Sequence, residues 1–253
     1  MSKKAGSHPA DGGNRAASDF VVPRSVAVIM DGNGRWARSA GFERIRGHEK
    51  GTDSVRTTVT ECAQLGVEAL TLYAFSEENW ERPKREINLL MGLLRRFLVD
   101  ERPTLMQNNV RLLHAGRRQR LDSDILRLLD ETMALTADNS GMRLCLAISY
   151  GGRQELADAV RSIAREVAAG SLAPEAVDEA TISARLYQPT LPDPDLLIRT
   201  AGELRVSNFL LWQISYAEIH VSPVCWPDFG KEQLHEAFRD YGRRVRKFGK
   251  VHG

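Results

Sequence analysis

An acid, two glycines, an arginine and a tryptophan stand together at Asp31-Gly32-Asn33-Gly34-Arg35-Trp36, directly after the apolar run SVAVIM at 25–30. A turn alone requires glycine, not a carboxylate, a guanidinium and an indole crowded around it. The combination suits a place that holds a charged group beside an apolar one. Gly32-x-Gly34-x-x-Ala37 fits the loose dinucleotide pattern of strand, glycine turn and helix. Two features oppose that reading. Arg35 and Trp36 fill space that a dinucleotide loop keeps small, and Glu77 and Glu78, the acids after the next apolar run, come too late for the ribose partner. Asp31 would repel a diphosphate unless a divalent cation lay between them. The economical chemistry is therefore carboxylate, metal and diphosphate, with Arg35 and the backbone N–H groups of 32–35 cradling the anion.

Three further clusters carry polar chemistry. In YAFSEENWERP, 73–83, Ser76, Asn79, Trp80 and Arg82 share one connection. Capping accounts for Ser76 or Asn79, and Pro83 suits a first helical turn, but neither accounts for Trp80 and Arg82. In 196–218, Arg199, Arg205 and Ser207 offer two guanidinium forks and a hydroxyl, the donors that a second phosphate group needs. Glu218 is a candidate second metal ligand. Arg44 and His48 follow the glycine loop. Each of these residues, taken singly, is as well explained as surface charge or core polarity.

Their convergence depends on the elements that carry them. Apolar runs at 25–30, 67–75, 109–116, 142–152, 195–202 and 218–223 read as strands. Helical spacing marks 51–66, 87–100, 122–138, a stretch from 152 to about 170, 207–217 and the C-terminal remainder. This alternation predicts an α/β fold with a central, mostly parallel sheet flanked by helices. Ligands in such sheets sit beyond the carboxyl ends of the strands. Asp31, Ser76, Ser149, Tyr150 and Arg199 all fall there.

The chain has 253 residues, 35 basic against 33 acidic, for a formal charge of +2, so composition gives no argument for nucleic acid. Basic residues gather only at the end, in YGRRVRKFGKVHG, as a solvated tail or a phosphate or membrane-surface contact. Cys62, Cys145 and Cys225 have no metal or redox spacing and read as core thiols of a reducing compartment. No apolar run is long enough to span a bilayer, and 1–22 reads as a disordered arm without a secretion signal. The expectation is a cytoplasmic protein with one domain over 23–253.

MDGNGRWA, GH..G, LTLYAFSEENWERP, YGGR, IRTAGELRVSNFLLWQISYAE and WPDF, in this order from about Val26 to Gly249, resemble the cis-prenyltransferases, the family of undecaprenyl diphosphate synthase. The resemblance implies a parallel sheet, surrounding helices, an apolar tunnel and a homodimer. It implies Mg2+-dependent, repeated addition of isopentenyl diphosphate to an allylic diphosphate, commonly farnesyl diphosphate, with cis double bonds. By position, Asp31 matches the essential metal–diphosphate aspartate. Gly32, Asn33, Gly34, Arg35 and Trp36 match the allylic diphosphate loop, and Arg44 and His48 further substrate positions. Ser76, Glu77, Glu78, Trp80 and Arg82 match the second substrate loop, and Asn79 the residue often named as proton acceptor. Arg199, Arg205, Val206 and Ser207 match the isopentenyl diphosphate site, and Glu218 the second metal position.

A carboxamide is hardly basic, so a substrate diphosphate oxygen is the better proton acceptor, with Asn79 orienting. Ala74 matches a position near the tunnel mouth, where a small side chain leaves room for long products. That favours a long-chain, undecaprenyl-class product for cell-wall carriers and transient contact with a membrane surface. A short- or medium-chain synthase is the rival within the family. Its non-catalytic partner subunits lose the loop aspartate, whereas this chain keeps Asp31, Arg35, Asn79 and Arg199. Two positions depart from the family pattern: Ala201 stands where glycine is usual, and Ser149 where asparagine is usual. The basic end resembles a family C-terminus that reaches the partner's active site.

Overall fold

The computed structural model describes residues 20–245. The last basic residues of the tail, Arg246, Lys247 and Lys250, lie outside them, as does most of the expected arm. Phe20 and Val22, at that arm's end, pack instead on the core, with the Phe20 ring 4.8 Å from His235 and 5.7 Å from Phe238.

Six strands form one sheet in the order β3-β4-β2-β1-β5-β6, every pairing parallel: β1 Ser25–Ile29, β2 Ala69–Ser76, β3 Arg111–Ala115, β4 Arg143–Tyr150, β5 Leu196–Arg199 and β6 Glu218–Val221. The helices are α1 Asn33–Ser39, α2 Arg44–Leu65, α3 Lys84–Asp100, α4 Arg102–Gln107, α5 Ser123–Leu135, α6 Gly152–Ala168, α7 Glu179–Ser183 and α8 Lys231–Gly242. Alternate strand residues feed two cores, as a period of two requires. Val26, Val28, Leu70, Leu72, Leu144 and Ile198 pack with α2, α3, α5 and α8, whereas Ala27, Ile29, Cys145, Ala147 and Leu197 pack with Phe209 and Leu210. In β2 the phase slips. Tyr73 pairs with Ala147 and Phe75 with Ile148, so Ala74 is the extra residue of a bulge.

Three expectations from spacing fail for physical reasons. The second helix begins at Arg44, not at residue 51. Gly47 and Gly51 look like breakers but serve close approach. A Cβ on Gly47 would lie 1.9 Å from the Asn33 carbonyl oxygen, and one on Gly51 2.5 Å from Asn33 Oδ1. The stretch 207–217, apolar at helical spacing, is not a helix but a run of turns, because Ser207, Asn208 and Leu210 have φ of 46°, 61° and 46°. The C-terminal remainder is likewise not one helix: a short turn at Trp226–Asp228 precedes α8.

Gly47 and Gly92 are expected to respond oppositely to alanine. Gly47→Ala forces α1 from α2 and costs about 1–3 kcal/mol of stability. Gly92, inside α3, has nothing within 4 Å of the place a Cβ would occupy, and gains about 0.5–1 kcal/mol as alanine. Urea denaturation of the two variants checks both signs.

Candidate functional site

Asp31 follows β1 and is tied on every side. Its N–H donates to the Thr200 hydroxyl at 2.8 Å, that hydroxyl donates to the Asp31 carbonyl at 2.7 Å, and the Trp226 N–H donates to the same carbonyl at 2.9 Å. Trp226, fully buried, in turn donates its indole N–H to the Gly51 carbonyl, so the WPDF segment wedges the loop against α2. Gly32 has φ of 96°, and a Cβ there would meet Ala201 and Cys225 within 2.9 Å. Here glycine is required on both counts.

The Asp31 carboxylate receives the Arg199 guanidinium at 2.8 Å and the Gly32 N–H at 2.6 Å, with Arg35 and Arg205 each at 3.9 Å. Partial burial works to raise its pKa. The Arg199 hydrogen bond, the Gly32 N–H and the charges of Arg199 and Arg35 outweigh burial and hold the carboxyl below the usual range. Arg199 is the buried member, its side chain 4% exposed against 31% for Asp31. It also donates to Ser207 Oγ at 2.8 Å and to the Arg205 carbonyl. Glu203 pairs with Arg35 at 2.9 Å and with Arg205, while Glu86 pairs with Arg82 at 2.9 Å and Arg44 at 3.3 Å.

These groups surround two adjoining spaces. A polar cleft of about 560 Å3 is lined by Asp31, Ser76, Glu78, Arg199, Arg205 and Ser207 among others. An apolar cavity of about 190 Å3 opens beside it, walled by Leu72, Ala74 and Phe75 of β2 and by Leu90, Leu94 and Phe97 of α3. Met30, Tyr73, Asn79 and Arg82 line both. Asn33 and His48 line the apolar cavity, where Asn33 Oδ1 and His48 Nε2 are buried without a hydrogen-bond partner. Gly32, Gly34, Arg35 and Arg44 line a third hollow that shares Asp31 with the cleft.

Other residues expected at the site stand behind it. Trp36 donates to Asp228 at 2.8 Å. Trp80 donates to Ser149 Oγ at 2.9 Å, Ser149 donates to Glu77 at 2.8 Å, and Arg120 both pairs with Glu77 and lies 4.9 Å over the Trp80 ring. Glu77 and Trp80 thus brace the loop rather than line the cleft. Val206 packs into the core around Phe209. Glu218 pairs in the sheet with Leu196 at the start of β5 and accepts from Arg244 at 3.0 Å, whereas Asp31 lies beyond Ile29, opposite Arg199 at the end of β5. The two carboxylates therefore stand at opposite ends of the strands and do not meet within one chain. Spacing gave no sign of Thr200 or Glu203. For Glu86 the one clue was its i, i+4 relation to Arg82 just before α3.

Among the described residues, no group of three His, Cys, Asp or Glu side chains is placed to hold a metal alone. The cleft offers the partly exposed Asp31 and the exposed Glu78 carboxylates among guanidinium groups, and Asp31 lies nearest the arginines. That donor set fits Mg2+ bound through one carboxylate plus phosphate oxygens, its common mode.

The family described as "Putative undecaprenyl diphosphate synthase" matches residues 29–249. The isoprenyl transferase of Chlorobaculum tepidum is 48% identical over 234 residues, covering 92% of this chain and 88% of that protein. That of Zymomonas mobilis is 48% identical over 232 residues, covering 92% and 94%. Among solved structures, lavandulyl diphosphate synthase from Lavandula x intermedia, in complex with dimethylallyl diphosphate, superposes with a TM-score of 0.89 at 36% identity, over 90% of this chain and 99% of that one. A probable undecaprenyl diphosphate synthase from Campylobacter jejuni does so with 0.74 at 33% identity, over 90% and 99%.

Burial, reinforced by the charges of Arg82 and Arg44, pushes His48 down to about 4, and burial does the same to His114. Both are depressed below the ordinary 6.5. Their contribution to stability is therefore complete above pH 6.5 and is lost as pH falls toward and through 4. Urea midpoints are expected to fall between pH 7 and about 4.5, and His114→Gln is expected to flatten that slope.

Proposed function

The chain belongs to the undecaprenyl diphosphate synthase family of cis-prenyltransferases, whose substrates are isoprenoid diphosphates, and from that premise we propose that it condenses isopentenyl diphosphate repeatedly onto an allylic diphosphate to give a long-chain polyprenyl diphosphate of the undecaprenyl class. The observation that carries this reading is the wall of Met30, Tyr73, Asn79 and Arg82 shared by a cationic cleft and an apolar cavity. A diphosphate on one side of that wall and a hydrocarbon tail on the other describe the substrate and its growing product.

In this reading the allylic diphosphate sits against Asp31–Arg35, and the isopentenyl diphosphate against Arg199, Arg205 and Ser207. The allylic C–O bond breaks, diphosphate leaves, and the isopentenyl double bond attacks the allylic carbon to form the new C–C bond. A proton then leaves the added unit. Arg35 and the loop amides of Asn33–Arg35, at the start of α1, stabilise charge developing on the leaving group, because they are aimed before the reaction begins. The opposing guanidinium groups of Arg199 and Arg205 hold the nucleophile's diphosphate, which converts the encounter into a positioned one. Asp31, together with diphosphate oxygens, would hold Mg2+, which would further neutralise the charge of the leaving diphosphate. The apolar cavity excludes water from the allylic carbon. Asn79 Oδ1 accepts the Ser76 N–H at 3.2 Å, which leaves its NH2, a donor only, for the ligand. The proton accordingly goes to a diphosphate oxygen, and Asn79 orients.

We further propose a homodimer and transient contact of the lipid product with a membrane surface. β6 is an edge strand with Ile219 exposed on it, which supports coverage of that edge by a second copy. A metal at Asp31 gains Glu218 only if that second copy supplies it. Among the described residues no helix is long and apolar enough to cross a membrane. The likeness to lavandulyl diphosphate synthase favours a second reading, a short-chain synthase.

Incubation with farnesyl diphosphate, labelled isopentenyl diphosphate and Mg2+ is expected to give a product of the C55 class, sized by chromatography; a short product selects the second reading, and no incorporation with any allylic starter overturns both. Asp31→Ala is expected to lower kcat at least about 10³-fold. Asn79→Asp places a negative charge beside the diphosphates and is expected to lower kcat about 10²-fold. Ala74, the bulged residue on the cavity wall, is expected to shorten the product when changed to Leu.

A further inference from the structure

We propose that Asn208 is a positioning residue that sets the isopentenyl diphosphate side of the site in register with the Ser76–Arg82 connection. The inference rests on the functional reading above and adds to it a residue that contributes through its neighbours.

Asn208 bonds to two segments at once: the first turn of α6 and Glu78 of the Ser76–Arg82 connection. Its backbone carbonyl accepts the Gly152 N–H at 2.7 Å, and its side-chain oxygen accepts the Arg153 N–H at 2.8 Å. These are the first two N–H groups of α6, whose own cap residue, Gly151, has no side chain to satisfy them. Asn208 thus caps a helix from 55 positions away. Its NH2 donates to Glu78 at 2.7 Å and to Gln154 at 3.1 Å. Glu78 and Asn208 both line the polar cleft.

The backbone makes the choice of residue narrow. At φ of 61°, a side chain with a Cβ is strained, and asparagine is among the few that tolerate it. Its neighbour Ser207, also left-handed, holds Arg199 through its hydroxyl and accepts the Tyr73 hydroxyl on its carbonyl at 3.4 Å. One continuous path therefore runs from Glu78 through Asn208 and Ser207 to Arg199 and on to Asp31. The partners of the Asn208 side chain are Glu78, Arg153 and Gln154, none of them in the Asp31–Arg35 loop. Its loss should displace Ser207 and Arg205 more than the allylic loop.

Asn208→Asp separates the two roles. Aspartate keeps the shape, tolerates the backbone and still accepts the Arg153 N–H, but it opposes Glu78 with a like charge. Gln154 relieves its own contact by turning its amide. Expected in steady-state assays is a KM for isopentenyl diphosphate raised about tenfold, with the KM for the allylic diphosphate changed less than about twofold and the melting temperature nearly unaltered. Asn208→Gly keeps the backbone and loses every side-chain bond. It should raise the same KM and lower the melting temperature as well. Pairing Asn208→Asp with Glu78→Gln restores a donor–acceptor contact and should return most of the lost affinity.

Unchanged KM values in both single variants would overturn the proposal. So would an equal rise in both KM values, or a loss of kcat that follows only the melting temperature. Failure of the wild-type chain to incorporate label would instead count against the functional reading. In that event calorimetric titration with isopentenyl diphosphate still tests Asn208: tight binding by wild type and about tenfold weaker binding by Asn208→Asp supports the link, and any other pattern overturns it.

Discussion

A guanidinium group inside a protein must be met by charge and by acceptors, or the fold does not tolerate it. Arg199 is that group here. It sits at the end of β5, almost wholly buried, and the chain supplies it with the Asp31 carboxylate, the Ser207 hydroxyl and the Arg205 carbonyl. Those three partners come from the two stretches that close the cleft. Meeting the two terminal nitrogens of this buried cation, whose Nε is left without a partner, therefore draws the glycine loop and the 205–208 turn together. The residues farther out follow the same electrostatic rule with weaker force. Glu203 and Glu86 occupy arginines of the cleft and of the hollow beside it, and an incoming diphosphate offers those arginines a stronger acceptor.

The strands were legible because each is a short apolar run at the end of which the chain changes character. The order of motifs was legible because phosphate chemistry demands arginine, glycine and carboxylate in recognisable places. The turns of 207–217 were not. Phe209, Leu210, Trp212 and Ile214 are spaced as on a helix face, and nothing in their types announces three left-handed residues. The braces were invisible for a different reason. Trp80 and Glu77 resemble ligand residues by type, yet their partners are Ser149 and Arg120, which lie far along the chain. Glu218 looked like a metal ligand by position in its motif, and only the parallel register shows it at the wrong end of the strands for Asp31 in the same chain.

The two departures from the family pattern have a common physical origin. Ala201 has φ of 68° and Ser149 φ of 51°. Glycine and asparagine are the residues that enter this region most cheaply. Alanine and serine there cost roughly 1–2 kcal/mol each, set against what their side chains add. Ser149 accepts from Trp80 and donates to Glu77. Ala201 places its methyl group where Gly32 has none. Strain at these two places is thus a property of the supporting shell, not of the groups that line the cleft.

Parallel strands cannot be joined by tight hairpins, so every pairing in this sheet waits for a long crossover. β1 is the first of the described strands, yet it ends up between β2 and β5. During synthesis, β1 and β2 can pair once the chain has emerged as far as Ser76, but the other edge of β1 stays open until β5 leaves the ribosome. Asp31 meets Arg199 across 168 positions of sequence. The nascent chain therefore carries the Asp31 carboxylate and an unfilled strand edge through most of its elongation, and contacts of such separation slow folding and leave that edge exposed meanwhile. A truncated product, however well its first strands fold, has no site to misfire with: competence arrives with the last strands or not at all.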